Sequence, residues 1–118
     1  MSVVTIVLTT LVALEHLYIL YLETFATDSD STSRVFNMSK EELSRPSISK
    51  LFKNQGIYNG LIAIFLLYGL FVSQSVEIVA LFLIFVIAAA SYGALTADKK
   101  IILTQGGLAI LALISLLF

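Results

Sequence analysis

Four runs of apolar residues, separated by polar stretches of unequal length, set the plan of this chain. The first extends from Val3 to about Phe25, the second from about Gln55 to Val72, the third from about Val76 to Leu95 and the fourth from about Ile101 to Phe118. Each is continuous and comes close to, or exceeds, the about 20 residues that carry an α-helix across a bilayer at about 1.5 Å per residue. A transmembrane β-barrel would instead show alternating segments of about 10 residues. The pattern therefore predicts an all-α fold: an integral membrane four-helix bundle that takes up residues 1–118 as a single transmembrane domain. Ser73, Gln74 and Ser75 link the second helix to the third, and Ala97, Asp98, Lys99 and Lys100 link the third to the fourth. Links this short force antiparallel neighbours.

The remaining connection, about 26–54, is long. It opens with the polar run Thr27-Asp28-Ser29-Asp30-Ser31-Thr32-Ser33, which reads as a mobile loop. Ser39-Lys40-Glu41-Glu42 then forms a capping box, with Met38 and Leu43 as its hydrophobic staple, so a short helix is expected there, interrupted near Pro46. From Ser47 onward Ile48, Leu51 and Phe52 fall on one side and Lys50 and Lys53 on the other. That is the pattern of a short amphipathic helix lying at the membrane surface before the second span descends.

Composition agrees. The chain is 58% hydrophobic and 13% charged, with mean hydropathy +0.98, against about 45–50% and about 25% for soluble domains. A net charge of −1 argues against nucleic acid as a partner, and the absence of Cys removes thiolate chemistry. The first run lacks the basic start of a secretory signal peptide and carries Glu15 and Glu23, so it is expected to remain as a helix.

Charge position supplies orientation. All seven cations, Arg34, Lys40, Arg45, Lys50, Lys53, Lys99 and Lys100, fall in the first and third connections. Positive-inside bias places connections 26–54 and 97–100 in the cytoplasm and both termini outside, in a multi-pass protein of the cell membrane. The sequon Asn37-Met38-Ser39 then lies on the wrong side for glycosylation.

Orientation turns position into depth. Glu15 lies about 18 Å below Val3, in the inner half of the bilayer, and Glu23 lies near the inner boundary. Asn54, Gln55, Tyr58 and Asn59 of the second helix, Ser91, Tyr92 and Thr96 of the third, and Thr104 and Gln105 of the fourth reach the same level. His16 and Glu23, seven apart, share a face flanked by Glu15; Gln55 and Asn59 are four apart with Tyr58 read between them; Tyr92 and Thr96 are four apart. A charge at the bilayer centre costs about 2.5–3.5 kcal/mol, so adjacent ionisable residues inside a span point to function. Asn, Gln, Thr and Tyr also tie helices together by hydrogen bonds, which is the plainer reading of Thr96, Thr104 and Tyr68. Ala88, Ala89, Ala90 and Gly93, and Gly106 with Gly107, read as close-packing positions. Gly56 and Gly60 form a small-xxx-small step that serves either packing within the chain or a dimer contact.

The stretches Glu15-His16-Leu17-Tyr18-Ile19-Leu20-Tyr21-Leu22-Glu23, Arg34-Val35-Phe36-Asn37-Met38-Ser39, Asn54-Gln55-Gly56-Ile57-Tyr58-Asn59-Gly60 and Tyr92-Gly93-Ala94-Leu95-Thr96, with Gln105-Gly106, resemble the small bacterial four-helix membrane proteins of the domain-of-unknown-function family DUF1304. The resemblance covers nearly the whole chain and implies His16, Glu23, Asn54, Gln55, Tyr58, Asn59, Tyr92 and Gln105 as family positions. This chain departs from the family in having Gly107 where Pro is usual and in lacking Trp. The family carries no assigned activity.

Three functions remain open. The plan is similar to that of small multidrug-resistance exporters, in which a helix-one Glu alternates between proton and cation; Glu15, or His16 with Glu23, would do that work. Such short chains enclose a path only with a second protomer, so a homo-oligomer, dimer or trimer, is expected with the lipid bilayer as its other partner and an unknown small molecule as its ligand. Alternatively, the inner polar layer resembles the pockets of eicosanoid- and glutathione-type membrane enzymes. His16 would then be a base oriented by Glu23, and Tyr58 or Tyr92 a donor to developing charge, although Arg for an anionic cofactor is missing from the inner helix ends. The third reading is a structural or accessory subunit. One His and two carboxylates give no metal-ligand spacing, and no cofactor is implied.

Overall fold

The computed structural model describes residues 1–97 and 100–118, and every regular element among them is helical. Three helices are long and apolar enough to cross a membrane: α1 (Val3–Phe25), α4 (Pro46–Val72) and α5 (Val76–Thr96). Between the first two lie α2 (Asp30–Phe36) and α3 (Lys40–Leu43), and after the third come α6 (Lys100–Thr104) and α7 (Gly107–Ser115). Asp98 and Lys99 of the expected third connection lie outside the described residues.

Three expectations are corrected. The polar run expected as a mobile loop supplies the start of α2. Ser29, in extended conformation, accepts the Thr32 backbone N–H at 3.2 Å, and Asp30 occupies the first turn, where a carboxylate complements the helix dipole. Ser and Asp disfavour helix interiors for the same reason that they start helices, because their short side chains bond nearby backbone. Asn37, at φ 53°, then ends the helix in the left-handed conformation that Asn tolerates.

The second correction concerns the second span. The surface lead-in and the span are one helix beginning at Pro46, whose missing N–H and fixed φ suit a first helical position. The capping box does hold: Ser39 Oγ accepts the Glu42 N–H at 3.1 Å, and α3 stops before Pro46 with Leu43 fully buried.

The third correction is to the fourth apolar run, expected as one helix over 101–118. It is divided at Gln105 and Gly106, so it is not among the long helices. Adjacent glycines explain the division, since each costs about 1 kcal/mol relative to Ala inside a helix.

The residues fall into two compact units, 1–15 with 63–118, and 16–62. In the first unit Val79, Leu83, Val86 and Ala90 bury one face of α5, and Ala109 and Ala112 bury one face of α7. The rings of Phe65 and Phe82 lie 5.5 Å apart, and the hydroxyls of Thr5 and Ser115 are 2.7 Å apart. In the second unit Leu22 and Leu43 are fully buried and Phe36 meets Phe52 edge-on at 5.2 Å. Large apolar side chains such as Leu14, Ile64, Leu81 and Phe85 remain about half exposed on the helices long enough to span a membrane.

On the surface of the second unit Lys40 pairs with Asp30. The hydrogen bond from Lys40 holds the Asp30 carboxyl below its ordinary range and raises the Lys40 ammonium. With its folded value depressed, Asp30 contributes stability at neutral pH that is lost as pH falls through that value. Both groups are solvent-exposed, so salt screens the effect.

Candidate functional site

The site is built where α1 leaves its regular winding. Its last turn, Tyr21–Phe25, is a π-turn in which the Ala26 N–H reaches back five residues to the Tyr21 carbonyl at 2.9 Å. Widening the turn changes which carbonyls find a backbone donor, and threonines fill the gaps. Thr32 Oγ1 lies 3.0 Å from the Leu22 carbonyl and 2.6 Å from that of Ala26, and Thr27 Oγ1 donates to the Glu23 carbonyl at 2.7 Å. Single π-turns recur at functional positions because they re-aim one side chain. Glu23 is the central residue of this turn.

Glu23 is 0% exposed. Each of its carboxyl oxygens meets one carboxamide from α4: Gln55 Nε2 donates to Oε2 at 2.7 Å and Asn59 Nδ2 donates to Oε1 at 2.6 Å. Gln55 and Asn59 stand four apart, so they project from one side of α4. Two glycines on the same helix bring α1 close enough for that reach. A Cβ at Gly56 would overlap Thr24 Oγ1 and lie 3.1 Å from Glu23 Cβ, and one at Gly60 would lie 2.8 Å from Leu20 Cδ2. Thr24 Oγ1 also donates to the Lys53 carbonyl at 3.0 Å. The Gly56/Gly60 step therefore serves packing within the chain.

The partners of Glu23 are neutral and can serve as donors or acceptors. An ionised carboxylate accepts from both amide groups in this orientation. A protonated carboxyl needs one acceptor, which either amide supplies by turning over to offer its oxygen. The cluster can thus satisfy Glu23 in both protonation states without a cationic residue.

The other sequence candidates have different surroundings. His16 is buried at 4% exposure on α1, and Glu15 is half-buried, with its Oε1 shielded and lacking a hydrogen-bond partner among the described residues. Asn54 is exposed and Tyr58 is 68% exposed. Tyr58 was expected between Gln55 and Asn59. At about 100° per residue those two lie about 40° apart, and Tyr58 lies about 60° to the far side of Gln55, which turns it outward. Tyr92, Thr96 and Gln105 belong to the other unit: Tyr92 is 69% exposed, Thr96 donates to its own helix at the Tyr92 carbonyl, and Gln105 is half-buried at the break before α7. Thr24, Thr27 and Thr32 were not singled out by the sequence pattern. The signal for Thr24 was its place beside Glu23, whereas Thr27 and Thr32 are indistinguishable in sequence from loop residues.

A helical protein with three helices able to span a membrane and, at the end of the first, a buried carboxylate held by an exposed and a half-buried carboxamide is the class these features define. The model of the family described as "Protein of unknown function (DUF1304)" matches residues 10–117, and the chain belongs to that family. The chain is 66% identical over 119 residues, covering 100% of each, to "Uncharacterized protein YpaA" of Lactococcus lactis subsp. lactis (strain IL1403). No solved structure matches. Glu23, Gln55 and Asn59 all lie within the family-matched segment.

Proposed function

We propose that this is a multi-pass protein of the cell membrane that binds a small cationic solute and moves it across the bilayer in exchange for a proton carried by Glu23. The observation that carries the reading is the full burial of Glu23 with one neutral carboxamide on each carboxyl oxygen. A carboxylate kept in a protein interior for structure alone is ordinarily paired with a cation, because burying an unpaired charge is costly. Partners that suit both the charged and the neutral form fit a group whose charge changes during its work. The enzyme alternative, with His16 and Glu23 as acid-base pair, draws less support, since the carboxyl hydrogen bonds go to Gln55 and Asn59 and both Tyr58 and Tyr92 are turned outward.

The same proposal takes the chain as one transmembrane four-helix bundle, with α6 and α7 as a divided fourth member, connections 26–54 and 97–100 in the cytoplasm and both termini outside. The cation distribution supports that orientation. It places Glu23 in the cytoplasmic half. Asn54, Tyr58 and Tyr92, polar and exposed on helices long enough to span, would find partners in a second or third copy.

The test is uptake into proteoliposomes that carry an imposed pH gradient, with tetraphenylphosphonium and ethidium as probes. Wild-type protein is expected to accumulate at least one of them only when the gradient is present, and Glu23→Gln to reduce accumulation to that of empty vesicles. Equal uptake by wild type and Glu23→Gln, or no gradient-driven uptake of either probe, would overturn the proposal.

A further inference from the structure

Beside the Glu23 cluster, where α1 ends against α3 and the start of α4, lies a groove of about 220 Å³. Thr24, Thr27, Ser44 and Ser49 line it with hydroxyls, and Asp28 and Lys53 contribute one charge of each sign. The first two hydroxyls are fixed by their bonds to the Lys53 and Glu23 carbonyls, and the Ser44 hydroxyl lies 2.8 Å from the Lys40 carbonyl and 3.4 Å from Asp28 Oδ2. Neither Asp28 nor Lys53 has an ion-pair partner among the described residues; the nearby Lys40 pairs with Asp30. Phe25, 74% exposed and the last residue of the first candidate span, and fully buried Leu43 complete the lining.

We infer that this groove binds an aminoalkyl phosphate, the headgroup of phosphatidylethanolamine, with Lys53 on the phosphate and Asp28 on the primary ammonium. A simple anion would meet the Asp28 carboxylate and a simple cation would meet Lys53; a zwitterion answers both. The position fits a lipid, because the end of an apolar span coincides with headgroup depth, leaving Phe25 to lie against an acyl chain. A primary ammonium offers three N–H donors to a carboxylate. The trimethylammonium of phosphatidylcholine offers none, and phosphatidylglycerol has no cation. The Thr24, Thr27 and Ser44 hydroxyls, whose protons go to carbonyl oxygens, keep acceptor lone pairs for the ammonium. This inference rests on the membrane reading of the three long helices and is independent of any transport activity at Glu23.

Native mass spectrometry of the detergent-solubilised protein tests it, with phosphatidylethanolamine, phosphatidylcholine and phosphatidylglycerol of matched chains supplied in equal amounts. One phosphatidylethanolamine per chain is expected to be retained in preference to the other two by roughly tenfold, the scale of one hydrogen bond to a charged group. Lys53→Ala and Asp28→Asn should each bring that preference to near parity, while Lys50→Ala, a cation outside the groove, should leave it intact. Excess free phosphoethanolamine separates the two sources of this chemistry: displacement of the lipid supports recognition of the headgroup alone, and its failure supports recognition of headgroup and chain together. Equal retention of the three lipids, or a preference unchanged in both groove variants, would overturn the assignment.

Discussion

Gly56→Leu is expected to abolish recovery of folded protein, and Gly56→Ala to lower the thermal unfolding temperature in detergent sharply. Even a single added methyl group would overlap the Thr24 hydroxyl, which is committed to the Lys53 carbonyl, and would press on Glu23 Cβ from 3.1 Å. Relief requires the end of α1 and the facing part of α4 to separate, and overpacking of this kind costs about 1–3 kcal/mol. Separation would also draw Gln55 and Asn59 away from Glu23, so the loss exceeds that of a methyl group in a softer setting. Gly107 is the internal control, since a Cβ there meets nothing within 4 Å. Gly107→Ala should be neutral or slightly stabilising, by up to about 1 kcal/mol through helix propensity. Equal behaviour of the two alanine variants would mean that the close approach at Gly56 is not needed.

Glu23→Leu is expected to have the second large effect. It removes the acceptor for two carboxamides and leaves the Asn59 amide unsatisfied beside a buried helix contact, at about 1–3 kcal/mol for each group orphaned. Glu23→Gln should retain most of the stability, because a carboxamide also offers an acceptor oxygen and the neighbouring amides can turn to suit it. Thermal unfolding of both variants, followed by circular dichroism, checks the ordering. If leucine is tolerated as well as glutamine, the hydrogen bonds around Glu23 do not hold the two helices.

Much of this was legible in the sequence, for reasons that can be named. Continuous apolar runs report helix length directly, which is why α1 and α5 begin and end within a residue of expectation. Glu23, Gln55 and Asn59 stood out in the sequence because polar residues in an apolar run are scarce, and the fold brings the three into contact. The fourth run was misread because mean apolarity outweighed two consecutive glycines in the sequence view, whereas local backbone preference prevails in the fold. The stretch 27–33 was misread because Ser, Thr and Asp serve turns and helix starts with the same side-chain chemistry. Which one forms depends on Thr32 finding the Leu22 carbonyl, which the π-turn leaves without the Ala26 N–H as its donor. That turn has no signature in composition or spacing. Tyr58 was misplaced by helical arithmetic rather than by chemistry.

The central claim is that Glu23 exchanges a proton inside its carboxamide cage, and infrared spectroscopy of the carboxyl C=O stretch across a pH titration reads it most directly. The protein reconstituted in lipid, compared with its Glu23→Gln and Glu15→Gln variants, should show a protonated-carboxyl band that appears and disappears reversibly with pH, that vanishes in Glu23→Gln and that persists in Glu15→Gln. A spectrum in which Glu23→Gln removes no pH-dependent band would contradict the account and leave the cluster as a fixed clasp between α1 and α4.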